Sequence, residues 1–333
     1  MTVPHAYDTM RHQTGVVVPV YFPEQIDRSR ATALLRDTVF HYCTQVDDPA
    51  HICLSVDGAV HGEREVTDLA REFGVSTCVG ASNRGKLSGA QQGVVHLLGN
   101  TDIRFIALVD QDGDHFANEL LNFIRTARHI GLDRVLVLGN RLSRHRPMGF
   151  ARGELEELAD RLLLDALTYH AAQTGLPLRL EYANTLGEFP DFHSGYKVFS
   201  RRAAEDVFLS APERAGCSET CYYRHACEAV MVVECLTRAG YLGVVNRRTF
   251  NEQPITTFGL YNRQQLIADK IIWPCKRLNI PAAFVKQWMD NHLPRLTLGT
   301  LVPDGKNELA SIRKIVLDAF GVEDADGLTP LFV

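Results

Sequence analysis

The chain has 333 residues, 45% of them hydrophobic and 23% charged, so it can form one large domain or two ordinary ones with a substantial core. Its net charge of −5 argues against nucleic acid or an anionic membrane as the main partner, because both favour a basic excess. Residues 1–15 lack a signal-peptide core, and the longest apolar runs fall far short of the ~20 residues that span a bilayer. These features predict a soluble cytoplasmic protein with no transmembrane segment.

Short apolar runs alternate with amphipathic segments up to about residue 140, which predicts strands separated by helices. The predicted strands are 16–22, 52–56, 75–79, 105–109 and 134–138, and the predicted helices are 28–46, 63–73, 88–98 and 118–130. This alternation gives right-handed βαβ units and an α/β fold with a mainly parallel sheet, in which ligands bind beyond the carboxyl ends of the strands. Asp57, Asn83 and Asp110 each follow a predicted strand and should line one crevice.

An acidic turn follows the fourth predicted strand. It contains Asp110, Gln111, Asp112 and Asp114. Carboxylates crowded at a sheet edge repel one another, and a hard divalent cation such as Mg²⁺ or Mn²⁺, held jointly with substrate phosphates, removes that cost. The alternative is an Asp-rich loop that caps the helix predicted from Asn118.

The segment Ser82-Asn83-Arg-Gly85-Lys86 follows the third predicted strand. Gly85 permits a tight turn, Lys86 supplies a positive charge, and Ser88 can cap the next helix. Backbone N–H groups and Lys86 could then hold an anion at the helix N-terminus. The spacing matches neither a P-loop nor a GxGxxG motif.

Four segments in chain order carry a family resemblance. They are Val17-Val-Pro19-Val-Tyr21, Val56-Asp57-Gly58, Asn83-Arg-Gly85-Lys86 and Val109-Asp110-Gln-Asp112. This order resembles the nucleotide-sugar-binding half of GT-A glycosyltransferases, and most closely the family 2-like inverting enzymes that include dolichyl-phosphate mannose synthases and cellulose-synthase-like proteins. Later segments resemble the same family over residues 16–250. They are Asp110–His115 (DxDxxH), 137–141 (a strand ending in Gly-Ser-Arg), 191–201 (D…SGFR…SR), Cys227-Glu228 and 236–241 (ED…LxRAGY).

The resemblance implies a role for each matching residue. The nucleotide-sugar would contact Pro19, Tyr21, Glu24, Asp57, Asn83, Gly85, Lys86, Asp110 and Gln111. Mn²⁺ or Mg²⁺ would bind mainly to Asp112, with Asp110 and Asp114 as further ligands. Glu228 would be the general base, with Asp191 and His193 as rivals, and the acceptor would lie near Arg141, His193, Ser194 and Gly195.

The sequence departs from the family pattern at two positions. Phe22-Pro23 interrupts the usual Tyr-Asn-Glu, so the assignment of Glu24 assumes a one-residue insertion. Ala229 replaces the second acid of the Glu-Asp pair, which in the family is often the base itself, so the assignment of Glu228 as the base assumes a displaced position.

These observations lead to one prediction of domains and function. Residues 1–260 would form a GT-A domain, with a nucleotide-sugar half at 15–140 and an acceptor half at 141–260. Residues 261–333 would form a helical extension packed on it, with helices near 264–272, 281–292 and 308–320 and a possible homodimer face. The enzyme would transfer a sugar from a nucleotide-diphospho-sugar, with inversion as the family implies, to a small molecule or a lipid phosphate.

Three alternatives stay open at this point. A sugar nucleotidyltransferase would need a Gly-rich loop after the first strand, where this chain has Pro19-Val-Tyr-Phe-Pro23. A non-catalytic nucleotide-sugar-binding protein would bind without turnover. A metal site at Cys217, Cys221, His225 and Cys227 is disfavoured because the spacing matches no CxxC pair.

Overall fold

A computed structural model describes residues 3–183, 189–250 and 262–323. The strands are β1 (Thr14–Val20), β2 (Ile52–Val56), β3 (Ser76–Val79), β4 (Phe105–Leu108), β5 (Val135–Arg141), β6 (Arg179–Tyr182), β7 (Lys197–Ser200) and β8 (Tyr241–Arg247). They form one sheet in the order β3-β2-β1-β4-β7-β5-β8-β6. Only β7 runs antiparallel to its neighbours. The prediction of an α/β fold with a mainly parallel sheet is confirmed.

Helices cover both faces of the sheet. In chain order they are α1 (Val3–Gln13), α2 (Arg28–Cys43), α3 (Glu63–Phe73), α4 (Lys86–Leu98), α5 (Leu120–Ile130), α6 (His145–Met148), α7 (Phe150–Thr174), α8 (Arg201–Phe208), α9 (Cys227–Leu236), α10 (Arg263–Arg277), α11 (Ala282–His292), α12 (Leu298–Leu301) and α13 (Gly305–Ala319). No helix among the described residues is long and apolar enough to cross a membrane.

Side-chain alternation along β1 divides the core into two parts. Val16 and Val18 pack with the helices α2, α3 and α5 on one face, and Val17 packs with α4, α7, α9 and α10 on the other. Both faces are therefore buried, which accounts for the continuous apolar run at this strand. The helices after residue 262 belong to the part of the core that contains Val17, and α10 packs against α7 and α13.

Two predicted boundaries differ from the structure for identifiable reasons. The first strand ends at Val20 because the amide of Gln111 takes both the N–H and the C=O of Tyr21. Helix α4 begins at Lys86, two residues earlier than predicted, because Gly85 stands at its start with φ +130°. Ser88 therefore lies inside the first turn, with its N–H bonded to the carbonyl of Gly85, and the prediction that Ser88 caps the helix was wrong.

Two elements that position the site were not predicted. The antiparallel strand β7 inserts between β4 and β5, which brings the residues just before it to the end of β4. The longest described helix, α7, follows β5 and carries several buried charged residues. Together these elements form one wall of the cavity described next.

Candidate active site

A cavity of about 270 Å³ lies beyond the carboxyl ends of the parallel strands. Most of the residues predicted from the sequence line it. They are Pro19, Tyr21, Asp57, Gly85, Lys86, Asp110, Gln111, Asp112, Asp114, Arg141, His193, Gly195 and Glu228. Four predicted residues lie outside the lining: Glu24 is exposed, Asn83 is half-buried, and Asp191 and Ser194 are fully buried.

Asp110 is compensated by neighbouring groups. Its carboxylate lies 2.6 Å from Nζ of Lys86 and 3.6 Å from Nε2 of His115. The N–H of Asp110 donates to Nδ1 of the same histidine at 2.8 Å, which fixes the turn. Burial opposes ionisation, but Lys86 and His115 outweigh it and hold the pKa of Asp110 below its usual range.

Asp112 is the exception in the acidic turn. It is 8% exposed, and its carboxylate accepts a hydrogen bond from the N–H of Asp114 at 3.2 Å. Among the described residues, no cationic side chain lies within ion-pair distance of it. Burial and the charges of Asp110 and Asp114 raise the pKa of Asp112 to about 7. Asp114 itself is bonded to the N–H of Phe250 at 2.8 Å and lies 3.5 Å from Arg247.

A buried carboxylate without a cation fits a hard divalent ion. The three aspartates do not yet surround one point, since the only described trio of ligand atoms within 4.8 Å of one another is His145, Glu154 and Glu157. A metal here would therefore be held by Asp112 together with the oxygens of a bound phosphate. The cysteine cluster considered above supplies no such trio among the described residues; Cys221 instead contacts the carbonyl of Asp269.

Asp57 fixes the loop between β3 and α4. Its two carboxylate oxygens accept from the N–H groups of Arg84 at 3.0 Å and Gly85 at 2.6 Å. A Cβ at Gly85 would lie 2.5 Å from the carbonyl oxygen of Tyr223, so only glycine fits there. Burial raises the pKa of Asp57 despite these hydrogen bonds.

Gln111 was predicted as a nucleotide-binding residue, but its amide is occupied by the backbone. Its Oε1 accepts from the N–H of Tyr21 at 3.0 Å, and its Nε2 donates to the carbonyl of Tyr21 at 2.8 Å. It thereby joins the ends of β1 and β4. The ring of Tyr21, held in this way, lies 4.7 Å from that of His61.

Glu228 lies in the first turn of α9 and is buried. Its Oε1 accepts from Nζ of Lys86 at 2.8 Å, and its Oε2 contacts the thiol of Cys227. Burial alone would raise the pKa of Glu228, but Lys86 and the buried Lys197 lower it to about 2. Lys86 therefore bridges the acidic turn and Glu228 across the cavity.

The structure does not support Asp191 as the base. Both of its oxygens accept from Arg141, at 2.6 Å from Nε and 2.6 Å from Nη2, and the carboxylate is fully buried. Arg141 and Arg144 hold the pKa of Asp191 below its usual range despite that burial. This carboxylate pairs with Arg141 and lies outside the cavity lining, so in this structure it is not in position to accept a proton from a molecule in the cavity.

Two other predicted acceptor residues are also engaged inside the protein. Nδ1 of His193 lies 2.7 Å from Oδ1 of Asp160, and the N–H of His193 donates to the same oxygen. Ser194 is fully buried and its carbonyl accepts from Lys197. Gly195 does line the cavity, because β7 brings it beside Asp110 and Lys86.

Of a second cluster of charges in the cavity lining, sequence reasoning predicted only Arg141. Glu156 is buried and lies 3.0 Å from Arg141, 3.4 Å from Arg152 and 3.1 Å from Lys270. These three cations hold the pKa of Glu156 well below its usual range against the effect of burial. We call Arg141, Arg152, Glu156 and Lys270 the cationic wall. The pair at 152 and 156 has i,i+4 spacing, which was the one available sequence signal; nothing local marks Lys270, on α10.

Other lining residues that were not predicted to line the cavity come from the segment before α9, from the start of α9 and from β8. They include Arg224, His225, Cys227 and Arg247. His225 lies 2.6 Å from Asp269 on α10, so the C-terminal helices contribute to the site in addition to the core.

The eight-stranded α/β fold is of the GT-A type. A scan against protein-family models gives no match, and neither does a search of the curated proteins. Among solved structures, glucosyl-3-phosphoglycerate synthase from Mycobacterium tuberculosis in complex with UDP is similar, with TM-score 0.51 and 15% identity over 84% of this chain and 86% of that one. Its complex with phosphoglyceric acid gives TM-score 0.51 and 14% identity over 84% and 85%. A crystal structure of a mycobacterial protein gives 0.52 and 16% over 84% and 80%.

Proposed function

We propose that the protein is a metal-dependent glycosyltransferase that uses a nucleotide-diphospho-sugar. One observation carries the proposal: Asp112, which is buried and has no ion-pair partner in the described part of the chain, shares a cavity with a Lys86–Glu228 pair at the strand ends of a GT-A sheet. Asp112 would hold Mn²⁺ or Mg²⁺. Lys86 would contact the diphosphate of the donor, and Glu228 would act as the general base. A similar structure has been crystallised with Mn²⁺, UDP-glucose and phosphoglyceric acid, which makes UDP-sugars the first donors to test.

The diphosphate of the donor would lie between the acidic turn and the start of α4. Asp112 would hold the metal together with phosphate oxygens of the donor, and the metal would stabilise the negative charge that develops on the leaving diphosphate. Lys86 would add a second positive charge from the other side. The nucleoside would extend towards Pro19, Tyr21 and Asp57 at the ends of β1 and β2.

In the proposed reaction the acceptor oxygen attacks the anomeric carbon of the sugar. The bond from that carbon to the diphosphate oxygen breaks, and its electron pair leaves with the nucleoside diphosphate. The proton of the acceptor hydroxyl moves to Glu228. A diphosphate beside Lys86 would compete with Glu228 for the ammonium group and so raise the pKa of Glu228 towards a value useful for a base.

The cationic wall supports an acceptor that carries a phosphate or a carboxylate. Arg141, Arg152 and Lys270 bring three cationic side chains to the cavity lining around Glu156. Guanidinium groups bind carboxylates and phosphates through paired hydrogen bonds, so this lining favours a small anion. A lipid phosphate presents the same headgroup chemistry, and comparison of water-soluble and lipid-linked acceptors would separate the two.

The family resemblance implies inversion at the anomeric carbon, and we include inversion in the proposal. Direct displacement needs one base and no protein nucleophile, and Glu228 is the carboxylate that we propose as this base. The anomeric configuration of the product, measured by proton NMR, tests this part alone. Retention would exclude direct displacement and leave the donor site unaffected.

The decisive experiment measures binding and turnover together. Isothermal titration of UDP, GDP, ADP and TDP with and without Mn²⁺ should give one nucleotide whose affinity requires the metal. Asp112→Asn should abolish that requirement, whereas Asp102→Asn, at an exposed aspartate outside the cavity, should leave it unchanged. Absence of metal-dependent binding of any nucleotide would overturn the proposal.

Glu228→Gln separates catalysis from binding. We expect kcat to fall about 10²–10⁴-fold while the dissociation constant of the donor changes little. Glu219→Gln, at an exposed residue, is the matched control. Donor binding by the wild type without any sugar transfer to phosphorylated or carboxylated acceptors would favour the non-catalytic alternative, and release of pyrophosphate from a nucleoside triphosphate would favour the nucleotidyltransferase.

A further inference from the structure

Arg224 belongs to a short π-helix, Cys221–His225, that leads directly into α9. Helical segments of this type are uncommon and occur often at functional sites. Arg224 reaches from this segment across to the loop that precedes α4. Its Nη2 donates to the carbonyl of Asn83 at 3.0 Å and to Oδ1 of Asn83 at 2.5 Å.

The guanidinium of Arg224 has further donors. Within the part of the chain that the structure describes, Nη1 and Nε of Arg224 have no hydrogen-bond partner, and the side chain lines the cavity beside Asp57 and Gly85. The charge of Arg224 lowers the pKa of Asp57, although burial has the larger, opposite effect, so the two side chains are close. Asn83 thus holds one edge of the guanidinium and leaves the rest for a ligand.

The position of Arg224 along the cavity indicates which part of a donor it meets. The acidic turn follows β4, whereas Asp57 follows β2, two strands away in the order β2-β1-β4. Two strand spacings amount to about 10 Å, a length comparable with that of a nucleoside. A diphosphate at the acidic turn would therefore place its ribose and base near Asp57 and Arg224.

We propose that Arg224 is a donor-binding residue that contacts an oxygen of the base or ribose and not the diphosphate. This inference rests on the proposed function. Arg224 stands four residues before Glu228, and its side chain is bonded to Asn83. It therefore connects the nucleoside end of the donor with α9, the helix that carries the proposed general base. Guanidinium donors beside the acceptor oxygens of Asp57 provide a mixed polar edge that suits a nucleobase, which presents N–H and C=O groups together.

The test compares a nucleoside diphosphate with pyrophosphate. In the presence of Mn²⁺, Arg224→Gln should weaken binding of the preferred nucleoside diphosphate about 10–100-fold and leave the affinity for pyrophosphate within twofold of the wild type. Arg224→Lys, which keeps the charge but loses the planar fork, should lie between the two. Arg214→Gln removes an exposed arginine of the same region, bonded to Glu219, and should bind both ligands like the wild type.

Each other outcome is informative. Equal losses for both ligands would place Arg224 at the phosphates and overturn the inference, and unchanged affinities would overturn it as well. If Arg224→Gln fails to fold, Arg224→Lys decides the question by the same comparison of ligands. A wild type that binds pyrophosphate with Mn²⁺ but no nucleoside diphosphate would overturn the proposed function itself, which is a different result from a defect confined to the variant.

Discussion

The acidic turn and the cationic wall of the cavity differ in how their buried carboxylates are compensated. At the acidic turn, Asp112 is buried without a cation among the described residues, and its pKa is raised to about 7 by burial and by its acidic neighbours. At the cationic wall, Glu156 is equally buried but is surrounded by Arg141, Arg152 and Lys270, and its pKa is held well below the usual range. A bound cation would stabilise the ionised form of Asp112, whereas the charge of Glu156 is already compensated by its neighbours.

This difference indicates how the acidic turn would bind the donor and how the cationic wall would bind the acceptor. A site with unbalanced negative charge gains free energy when a divalent ion arrives, so donor binding there should depend on metal. A cluster of cations arranged around a carboxylate is already ordered, so an anionic acceptor would find its partners in place at little conformational cost. Lys86 joins the acidic turn to Glu228, since it is bonded to both Asp110 and Glu228.

The largest predicted effect is that of Asp112→Asn. We expect turnover to fall about 10³-fold or more, because the main metal ligand is lost. The metal-free variant should nevertheless be more stable than the wild type at pH 8, by about 1–3 kcal/mol, because a repelled buried charge is removed. Urea denaturation in EDTA, alongside a turnover assay with Mn²⁺, measures both quantities. A loss of stability together with the loss of activity would mean that Asp112 is compensated in some other way.

Glu156→Gln should have the opposite effect on stability. The substitution removes a buried carboxylate that pairs with Arg141, Arg152 and Lys270, and loss of one partner of a buried ion pair typically costs about 3–5 kcal/mol. Glu157→Gln is the matched control, since the adjacent Glu157 pairs with Arg161 near the surface and should change stability by less than about 1 kcal/mol. Equal, small effects in the two variants would contradict the description of the wall as a coupled buried cluster.

The sequence predicted the residues of the proposed donor site far better than those of the cationic wall. Asp57, Lys86, Asp110 and Asp112 each follow a strand or begin a helix within a few residues, so a local pattern is enough to bring them to one edge of a parallel sheet. The cationic wall joins residues on β5, α7 and α10, and no local pattern specifies which face of α10 meets α7. Antiparallel β7 was missed for the same reason, because its partners lie far away in the chain.

Local pattern also misjudged what some side chains do. Gln111 lies where a nucleotide contact was expected, but its amide pairs with the backbone of Tyr21. Asp191 lies in a motif that suggested a base, but Arg141 takes both of its oxygens. In each case the residue type and position were predicted and the hydrogen-bond partner was not, because the partner depends on tertiary packing.

The stability of the protein at acid pH reports the interactions of the Glu228 carboxylate with Lys86 and Lys197. The pKa of Glu228 in the folded protein is about 2, below the usual value of 4.5, so the stabilisation is present above about pH 4.5 and is lost as the pH falls towards 2. The difference in unfolding free energy between the wild type and Glu228→Gln should therefore shrink over that interval, by on the order of 3 kcal/mol. Urea titrations at several pH values give this difference, and Glu219→Gln should follow the wild type throughout. A difference independent of pH would show that Lys86 and Lys197 do not stabilise the ionised form.

The smallest predicted effect, at Gly195→Ala, tests how closely the ends of β4 and β7 approach. A Cβ at Gly195 would lie 2.7 Å from Oδ2 of Asp110 and 3.1 Å from Nζ of Lys86, so the pair that joins the donor end to Glu228 would have to shift. We expect a loss of about 1–3 kcal/mol in unfolding free energy and weaker metal-dependent nucleotide binding. Gly299→Ala, whose Cβ would meet only ordinary contacts at 3.5 Å and beyond, should be neutral. If Gly195→Ala were as neutral as that control, the Lys86–Asp110 pair would tolerate displacement. A rigid link between the donor-binding loops and Glu228 would then have to come from Arg224 and the π-helix.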